Sequence, residues 1–308
     1  MTTVGMIGLG IMGSAMAANL MRAGYRVIGY DVVRARLREH VRAGGAAGRT
    51  GADVARRADI VVCSLPSAAA LLESAAEIAG VGRRGGVIIE ASTLPLAVKE
   101  EARGRLAAAG ITLLDCPVSG TGAQARVKDI VVYTSGPRAA CHRIGPVLNA
   151  FSRAHYYVGP FGAGSKTKCV ANLLVAIHNV AAAEALVLAM KAGLDPARTL
   201  EAVADGAGSS RMLQVRGPMM VRGDYSAAAM KLDVWQKDMT VIAEFAREVG
   251  CPTPLFAATA PIYLAATVGG RGSEDTGAVC AVLEAMANHR RPARRRARRR
   301  GKARGKAR

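Results

Sequence analysis

Aromatic residues are scarce in this 308-residue chain, which has four Phe, seven Tyr and a single Trp, and 42 Lys and Arg outnumber 23 Asp and Glu. The five histidines and six cysteines (Cys63, Cys116, Cys141, Cys169, Cys251, Cys280) include no C-x-x-C pair and no metal-ligand spacing. That excludes zinc ribbons and dithiol redox motifs, and no metal site is expected. Unpaired, scattered cysteines fit buried thiols in a reducing, cytoplasmic setting. No Lys or Arg precedes Arg22, so the apolar run that meets SAMAAN at 14–19 lacks the cationic start of an export signal. The long apolar segment 165–192 carries Asn172, His178, Asn179 and Glu184, which favours a buried core helix over a membrane span.

The charge is concentrated at one end. Of the net +19, residues 290–308 (RRPARRRARRRGKARGKAR) hold 12 cations and no acid, leaving 30 cations against 23 acids, or +7, in the rest. With no apolar period and no aromatic, residues 289–308 are expected to form a disordered basic tail. Such a tail would meet nucleic acid only non-specifically, through charge.

What is present begins at once. Residues 3–8, TVGMIG, read as a strand, followed by Gly8-Leu9-Gly10-Ile11-Met12-Gly13 and then a helical pattern to Arg22. In a G-x-G-x-x-G placed between strand and helix, the first glycine makes the turn and the second lets backbone approach a pyrophosphate. The third packs helix on strand, and the phosphates sit at the helix N-terminus. A second strand, 26–31, closes on Asp31, 18 residues after Gly13, where an acid can accept from a ribose 2′-hydroxyl. The pattern predicts dinucleotide binding, with NAD preferred over NADP and Arg34 and Arg36 near enough to soften the preference.

Further apolar runs at 59–66, 86–93, 111–119 and 129–136 alternate with Ala- and Leu-rich segments. The expectation is an α/β fold with a Rossmann-type, doubly wound, mostly parallel sheet over residues 1–161. Ligands of such a sheet gather at strand carboxyl ends, so Leu65, Pro66, Ser92, Thr93, Ser119 and Gly120 should face one crevice. From Gly162 the strand signals fade. Residues 162–288 are expected to form an all-α domain built on a long helix, hinged at 158–164, with further helices near 225–249, 253–268 and 277–288. On the long helix Lys168 and Asn172 are i and i+4 and share a face, whereas Lys166 points away from them.

These motifs (GLGIMGSAMAANLMRAG, SLP, AST, DCPVSG, GAGSKTKCVAN and QKDM) occur in the order and spacing of the β-hydroxyacid dehydrogenase family, which the chain resembles over about residues 2–288. The resemblance implies NAD(P) as cofactor and a small anionic 3-hydroxy acid interconverted with its semialdehyde. It makes Lys168 the catalytic lysine with Asn172 beside it, and gives the substrate carboxylate to Ser119, Gly120 and Thr121. Leu65, Pro66, Thr93 and Lys237 fall on cofactor-contacting positions, with Gly8, Leu9, Gly10, Ile11, Met12, Gly13 and Asp31. It also implies a homo-oligomer, dimer or tetramer.

Two departures from the family pattern bear on the substrate. Thr121 stands where a second glycine is common, followed by Gln124, Arg126 and Lys128, and Leu173 replaces an amide that often follows Asn172. An added hydroxyl and a cation at Arg126 would suit a more hydroxylated or a phosphate-bearing acid. Two alternatives compete: an imine reductase-like enzyme, against which Lys168 argues, and a non-catalytic dinucleotide-binding scaffold associated with nucleic acid through its tail.

Overall fold

The structure, a computed structural model, describes residues 2–81 and 84–291. The strands are β1 (Thr3–Ile7), β2 (Arg26–Tyr30), β3 (Ala46–Ala47), β4 (Ile60–Cys63), β5 (Val87–Glu90), β6 (Thr112–Asp115), β7 (Val118–Ser119), β8 (Val131–Ser135) and β9 (Ala154–Gly159). They form one sheet in the order β3-β2-β1-β4-β5-β6-β8-β7, with β9 added on β8. Pairing is parallel from β3 through β6, and β8 runs antiparallel to both β6 and β7. The mostly parallel sheet is therefore as expected.

Helices α1 (Ile11–Arg22), α2 (Arg34–Arg42), α3 (Gly51–Arg57), α4 (Ala68–Val81), α5 (Leu96–Ala108), α6 (Gly122–Arg126), α7 (Arg138–Arg143) and α8 (Gly145–Phe151) accompany the sheet. Because both faces are covered, the central strands are near-continuous apolar runs rather than alternating, apart from Glu90 and Asp115 at the ends of β5 and β6. Val4 and Met6 of β1 join a core with Met16, Leu20 and Phe151 from α1 and α8. Ile7 turns the other way, into a core with Val54, Leu71, Ile78 and Leu106 from α3, α4 and α5.

The second half is helical: α9 (Ala163–Lys191), α10 (Pro196–Asp205), α11 (Arg211–Arg222), α12 (Leu232–Glu248), α13 (Pro254–Ala266) and α14 (Val279–Met286). Of the described helices, α9 is the one long and apolar enough to cross a membrane. Its Ala176, Val180, Ala183 and Leu186 form a core with Leu213, Trp235, Tyr263 and Val279 from α11, α12, α13 and α14.

The structure differs from the sequence expectation at four places. The run 111–119 is not one strand: Pro117, which has no N–H to give to a ladder, separates β6 from β7, and β7 pairs antiparallel with β8. Strand β9 was hidden because its Tyr156 and Tyr157 are exposed, leaving no inward alternation to read. Helix α11, with Gly217 and Pro218 inside it, falls in a stretch where no helix was expected, and residues 225–231, expected to be helical, precede α12. The basic tail lies outside the described residues from 292 onward, but Arg291 is not a free charge. Its Nε donates to Glu284 Oε1 at 2.7 Å and its Nη1 to the Val221 carbonyl at 2.8 Å, tying the chain to the end of α11.

Candidate active site

The glycine loop has the geometry its spacing requires. Gly8 has φ +89°, and a Cβ there would lie 2.2 Å from the Ser64 carbonyl oxygen; one on Gly13 would lie 1.9 Å from the Gly8 oxygen. A Cβ on Gly10 would meet nothing within 4 Å, so this backbone faces an open cleft at the start of α1. No side chain caps α1 and no acid sits in its first turn, which leaves its N–H groups and positive dipole end for an anion. These residues fit a dinucleotide pyrophosphate, with Leu9, Ile11 and Met12 in the same turn.

Asp31 follows β2 and is buried. Its Oδ2 accepts from the Leu9 N–H at 2.7 Å and its Oδ1 from the Val33 N–H at 2.8 Å, while Arg36 Nη1 stands 3.5 Å from Oδ2. The carboxylate thus locks the glycine loop to the next strand and keeps lone pairs free for a further donor.

At the ends of β4 and β5, the Leu65 N–H donates to Ser92 Oγ at 2.8 Å, and Lys237 Nζ reaches across from α12 to the Thr93 carbonyl at 2.9 Å. These bonds tie Leu65 to the segment that carries Thr93, and Thr93 to α12. Beneath these strand ends lies a buried ion cluster that sequence reasoning did not find. Lys99 of α5 contacts Glu90 Oε2 at 2.6 Å and Asp115 Oδ1 at 2.8 Å and donates to the Ser92 carbonyl at 2.8 Å, all three side chains being fully buried. Burial alone would depress the Lys99 ammonium, but the two carboxylates override it and raise its pKa.

The same cluster places α9. Asp115 accepts from the Ser165 N–H (2.7 Å) and Ser165 Oγ (2.8 Å), and Ser135 Oγ accepts from the Gly164 N–H (2.9 Å). A Cβ on Gly164 would lie 2.6 Å from the Asp115 carbonyl oxygen, so glycine is needed for the helix to come this close. The segment read as a hinge is thus pinned to the sheet by a carboxylate at a helix N-terminus.

One turn later Lys168 and Asn172 lie side by side and buried, whereas Lys166 is exposed. Asn172 Nδ2 donates to Asp238 Oδ2 at 3.2 Å, and Asp238 Oδ1 lies 3.6 Å from Lys237 Nζ. Desolvation lowers the Lys168 pKa to about 8, against the opposing pull of Asp238. Burial in turn raises the Asp238 pKa, countered by Lys237 and Lys168. Asp238 was overlooked beside Lys237, yet the signal was there: it sits on the α12 face that buries Leu232, Trp235, Met239 and Ile242. An acid on the apolar face of a helix needs a partner.

A cavity of about 190 Å³ joins these groups, lined among others by Ser119, Gly120 and Thr121 at one end and by Lys168, Asn172 and Trp235. Gly120 has φ +138°. Thr121 forms a capping box with Gln124: its N–H donates to Gln124 Oε1 (3.0 Å) and its hydroxyl accepts from the Gln124 N–H (3.4 Å). Its polar groups are thereby committed to starting α6, leaving the Ser119 hydroxyl and the Gly120 N–H better placed for a carboxylate. Arg126 is exposed and does not line the cavity; the arginines that do are Arg153, Arg211 and Arg216.

Comparison with known proteins agrees with this geometry. Residues 3–159 match the NAD binding domain of 6-phosphogluconate dehydrogenase, and residues 162–283 match the NAD-binding region of NADP-dependent 3-hydroxyisobutyrate dehydrogenase. The chain is 35% identical to L-threonate dehydrogenase of Cupriavidus necator, over 92% of this chain and 96% of the relative. It is 30% identical to 2-(hydroxymethyl)glutarate dehydrogenase of Eubacterium barkeri, over 92% and 95%. The solved structure of 3-hydroxyisobutyrate dehydrogenase from Salmonella typhimurium superposes with a TM-score of 0.81 at 31% identity, covering 92% of this chain and all of that one.

Proposed function

This chain belongs to the β-hydroxyacid dehydrogenase family and is an NAD(P)-dependent dehydrogenase acting on hydroxy acids, and on that footing we propose that it interconverts a small 3-hydroxy acid and its semialdehyde, with Lys168 as general acid and base. The observation that carries the proposal is Lys168 itself: a buried ammonium with pKa lowered to about 8, beside Asn172 and Asp238, in the cavity that ends at Ser119 and Gly120.

In reduction, Lys168 as ammonium donates a proton from Nζ to the carbonyl oxygen; in oxidation, neutral Lys168 takes the hydroxyl proton. A pKa near operating pH serves both directions. Asp238 balances the charge of Lys168 and accepts one N–H of Asn172, which leaves the second amide N–H free for the substrate oxygen. Ser119 and Gly120 hold the carboxylate and so set the distance of the reacting carbon from Lys168. A dinucleotide held by the glycine loop and Asp31 would supply or accept the hydride through its nicotinamide.

Buried Asp31 supports NAD over NADP, because its carboxylate would accept from a 2′-hydroxyl and repel a 2′-phosphate. Exposed Val170, Leu174 and Leu188 on α9 support a homo-oligomer, and six unpaired cysteines support a reducing, cytoplasmic setting. The test is an initial-rate screen of small hydroxy acids and semialdehydes with NAD and NADP. Folded, cofactor-binding protein with no turnover above background on any of them would refute the reading.

A further inference from the structure

Among the cations of the substrate cavity, Arg153 and Arg211 are exposed and share Asp129, at 3.0 and 3.2 Å, so they form the rim. Arg216 differs in being only 4% exposed. Its Nε donates to Asp275 Oδ1 at 2.9 Å and its Nη1 rests on Met212 Sδ, while Nη2 has no acceptor among the described residues. Asp275 does not depend on this arginine for satisfaction, since it also accepts from the N–H groups of Ala229 (2.8 Å), Met230 (3.1 Å) and Gly277 (2.9 Å). A guanidinium is planar and carries five donors; here one edge is fixed by a carboxylate and the other is offered to the cavity. With Nη2 open to the cavity, a ligand hydroxyl can take the place of water on it.

We propose that Arg216 is a specificity-determining residue whose free Nη edge binds a hydroxyl on the part of the substrate beyond the reacting carbon, selecting hydroxylated monocarboxylic acids. The inference rests on the proposed dehydrogenase reading of the same cavity, extended from a primary to a secondary 3-hydroxyl, whose oxidation gives a 3-oxo acid in place of a semialdehyde. Charge balance favours a hydroxyl over a second carboxylate. The two buried cations, Lys168 and Arg216, are already matched by Asp238 and Asp275, and the rim adds one net positive charge (Arg153 and Arg211 against Asp129). One carboxylate neutralises that surplus, and a second would be buried unpaired.

The test compares 2,3,4-trihydroxybutanoate with 2,3-dihydroxybutanoate, which differ by the C4 hydroxyl, in wild type, Arg216→Met and Arg216→Lys. Arg216→Met is expected to lower kcat/KM for the trihydroxy acid by roughly 10- to 100-fold, the scale of a hydrogen bond to a charged group, and to change the dihydroxy acid by less than about threefold. Arg216→Lys should recover part of the loss. Asp275, left without its cation, could unfold the Met variant, so Arg216→Met/Asp275→Asn is measured beside it, and its turnover of the dihydroxy acid checks the fold. Equal losses on both acids, in the single and the double variant, would make Arg216 a structural strut and overturn the proposal. So would undiminished activity on the trihydroxy acid, or a loss confined to a dicarboxylic acid of the same length.

If wild type turns over neither acid, the dehydrogenase reading of these substrates fails, and binding still decides Arg216. Trp235, the single tryptophan, lines the cavity, so its fluorescence reports each acid directly. Trihydroxy acid binding that weakens by about tenfold or more in Arg216→Met supports the proposal. No binding, or equal binding by wild type and variant, overturns it.

Discussion

Replacing Lys168 by Met should do two opposite things, lowering turnover and raising stability. Burial lowers the Lys168 pKa from 10.5 to about 8, so below pH 8 the folded state carries a charged group that the unfolded chain solvates more easily. At about 1.4 kcal/mol per pKa unit, this strain is about 3 kcal/mol at neutral pH. The sign follows from proton binding: between pH 8 and 10.5 the unfolded state holds more protons, so wild-type stability rises with pH across that window. Methionine removes the charge at every pH. Its advantage should therefore be full below pH 8 and gone by about pH 10.5. Asp238 loses a cationic neighbour in the variant, which makes 3 kcal/mol an upper bound and a Tm gain of a few degrees the expected result. The assays are thermal melts from pH 6 to 10.5 and steady-state kinetics with both cofactors. The kcat of Lys168→Met should fall about 10²–10⁴-fold with dinucleotide affinity retained, and Asn172→Ala should lose less and couple to it rather than add. Exposed Lys166→Met is the control and should change neither quantity. Near-wild-type turnover in Lys168→Met refutes proton transfer by this residue. A Tm below wild type at pH 7 refutes the burial argument.

In wild type, oxidation should rise with pH through about 8 as Lys168 becomes neutral, and reduction should fall over the same range; matching profiles in the two directions would contradict the role assigned to it. Asp31→Asn keeps an acceptor for the Leu9 N–H but removes the charge, so the NADP to NAD ratio of kcat/KM should move toward NADP by about tenfold; an unchanged ratio places the selectivity elsewhere. Lys99→Met strands Glu90 and Asp115 in the core and should cost about 3–5 kcal/mol in chemical denaturation; a loss under 1 kcal/mol would mean that the cluster is loosely coupled to the fold. Truncation after Arg291 should leave Tm and turnover unchanged, whereas truncation after His289 removes the bonds to Glu284 and Val221 and should lower Tm; equal behaviour of the two would show that the Arg291 contacts carry no stability.

The glycine loop, Asp31 and the pair Lys168 and Asn172 were legible because each depends on local spacing: a turn between strand and helix, or i and i+4 on one face. What escaped depends on tertiary position. Lys99, Arg216 and Asp238 look like ordinary helix-surface charges until one notes that each shares a face with apolar residues, Lys99 with Ala102 and Leu106, Arg216 with Leu213 and Met220. The partners that make such burial tolerable, Glu90, Asp115 and Asp275, come from distant segments, and no periodicity announces them. Thr121 shows the converse. Its hydroxyl suggested substrate contact, but Gln124 three residues on completes a capping box, a pattern that was readable in the sequence.

The anchoring of α9 limits how this enzyme can be recombined. Asp115, Ser135 and Lys99 belong to the sheet half, yet they hold the first turn of the helix that carries Lys168. A chimera joined at residue 161 would transplant that helix onto a foreign sheet, and a sheet without a matching acid and serine would seat it at a different height. The reacting lysine would then be displaced although every residue of its own half was retained. Workable crossover points should therefore lie upstream of Glu90, so that Lys99, Asp115, Ser135 and Ser165 travel with α9 as one inherited block.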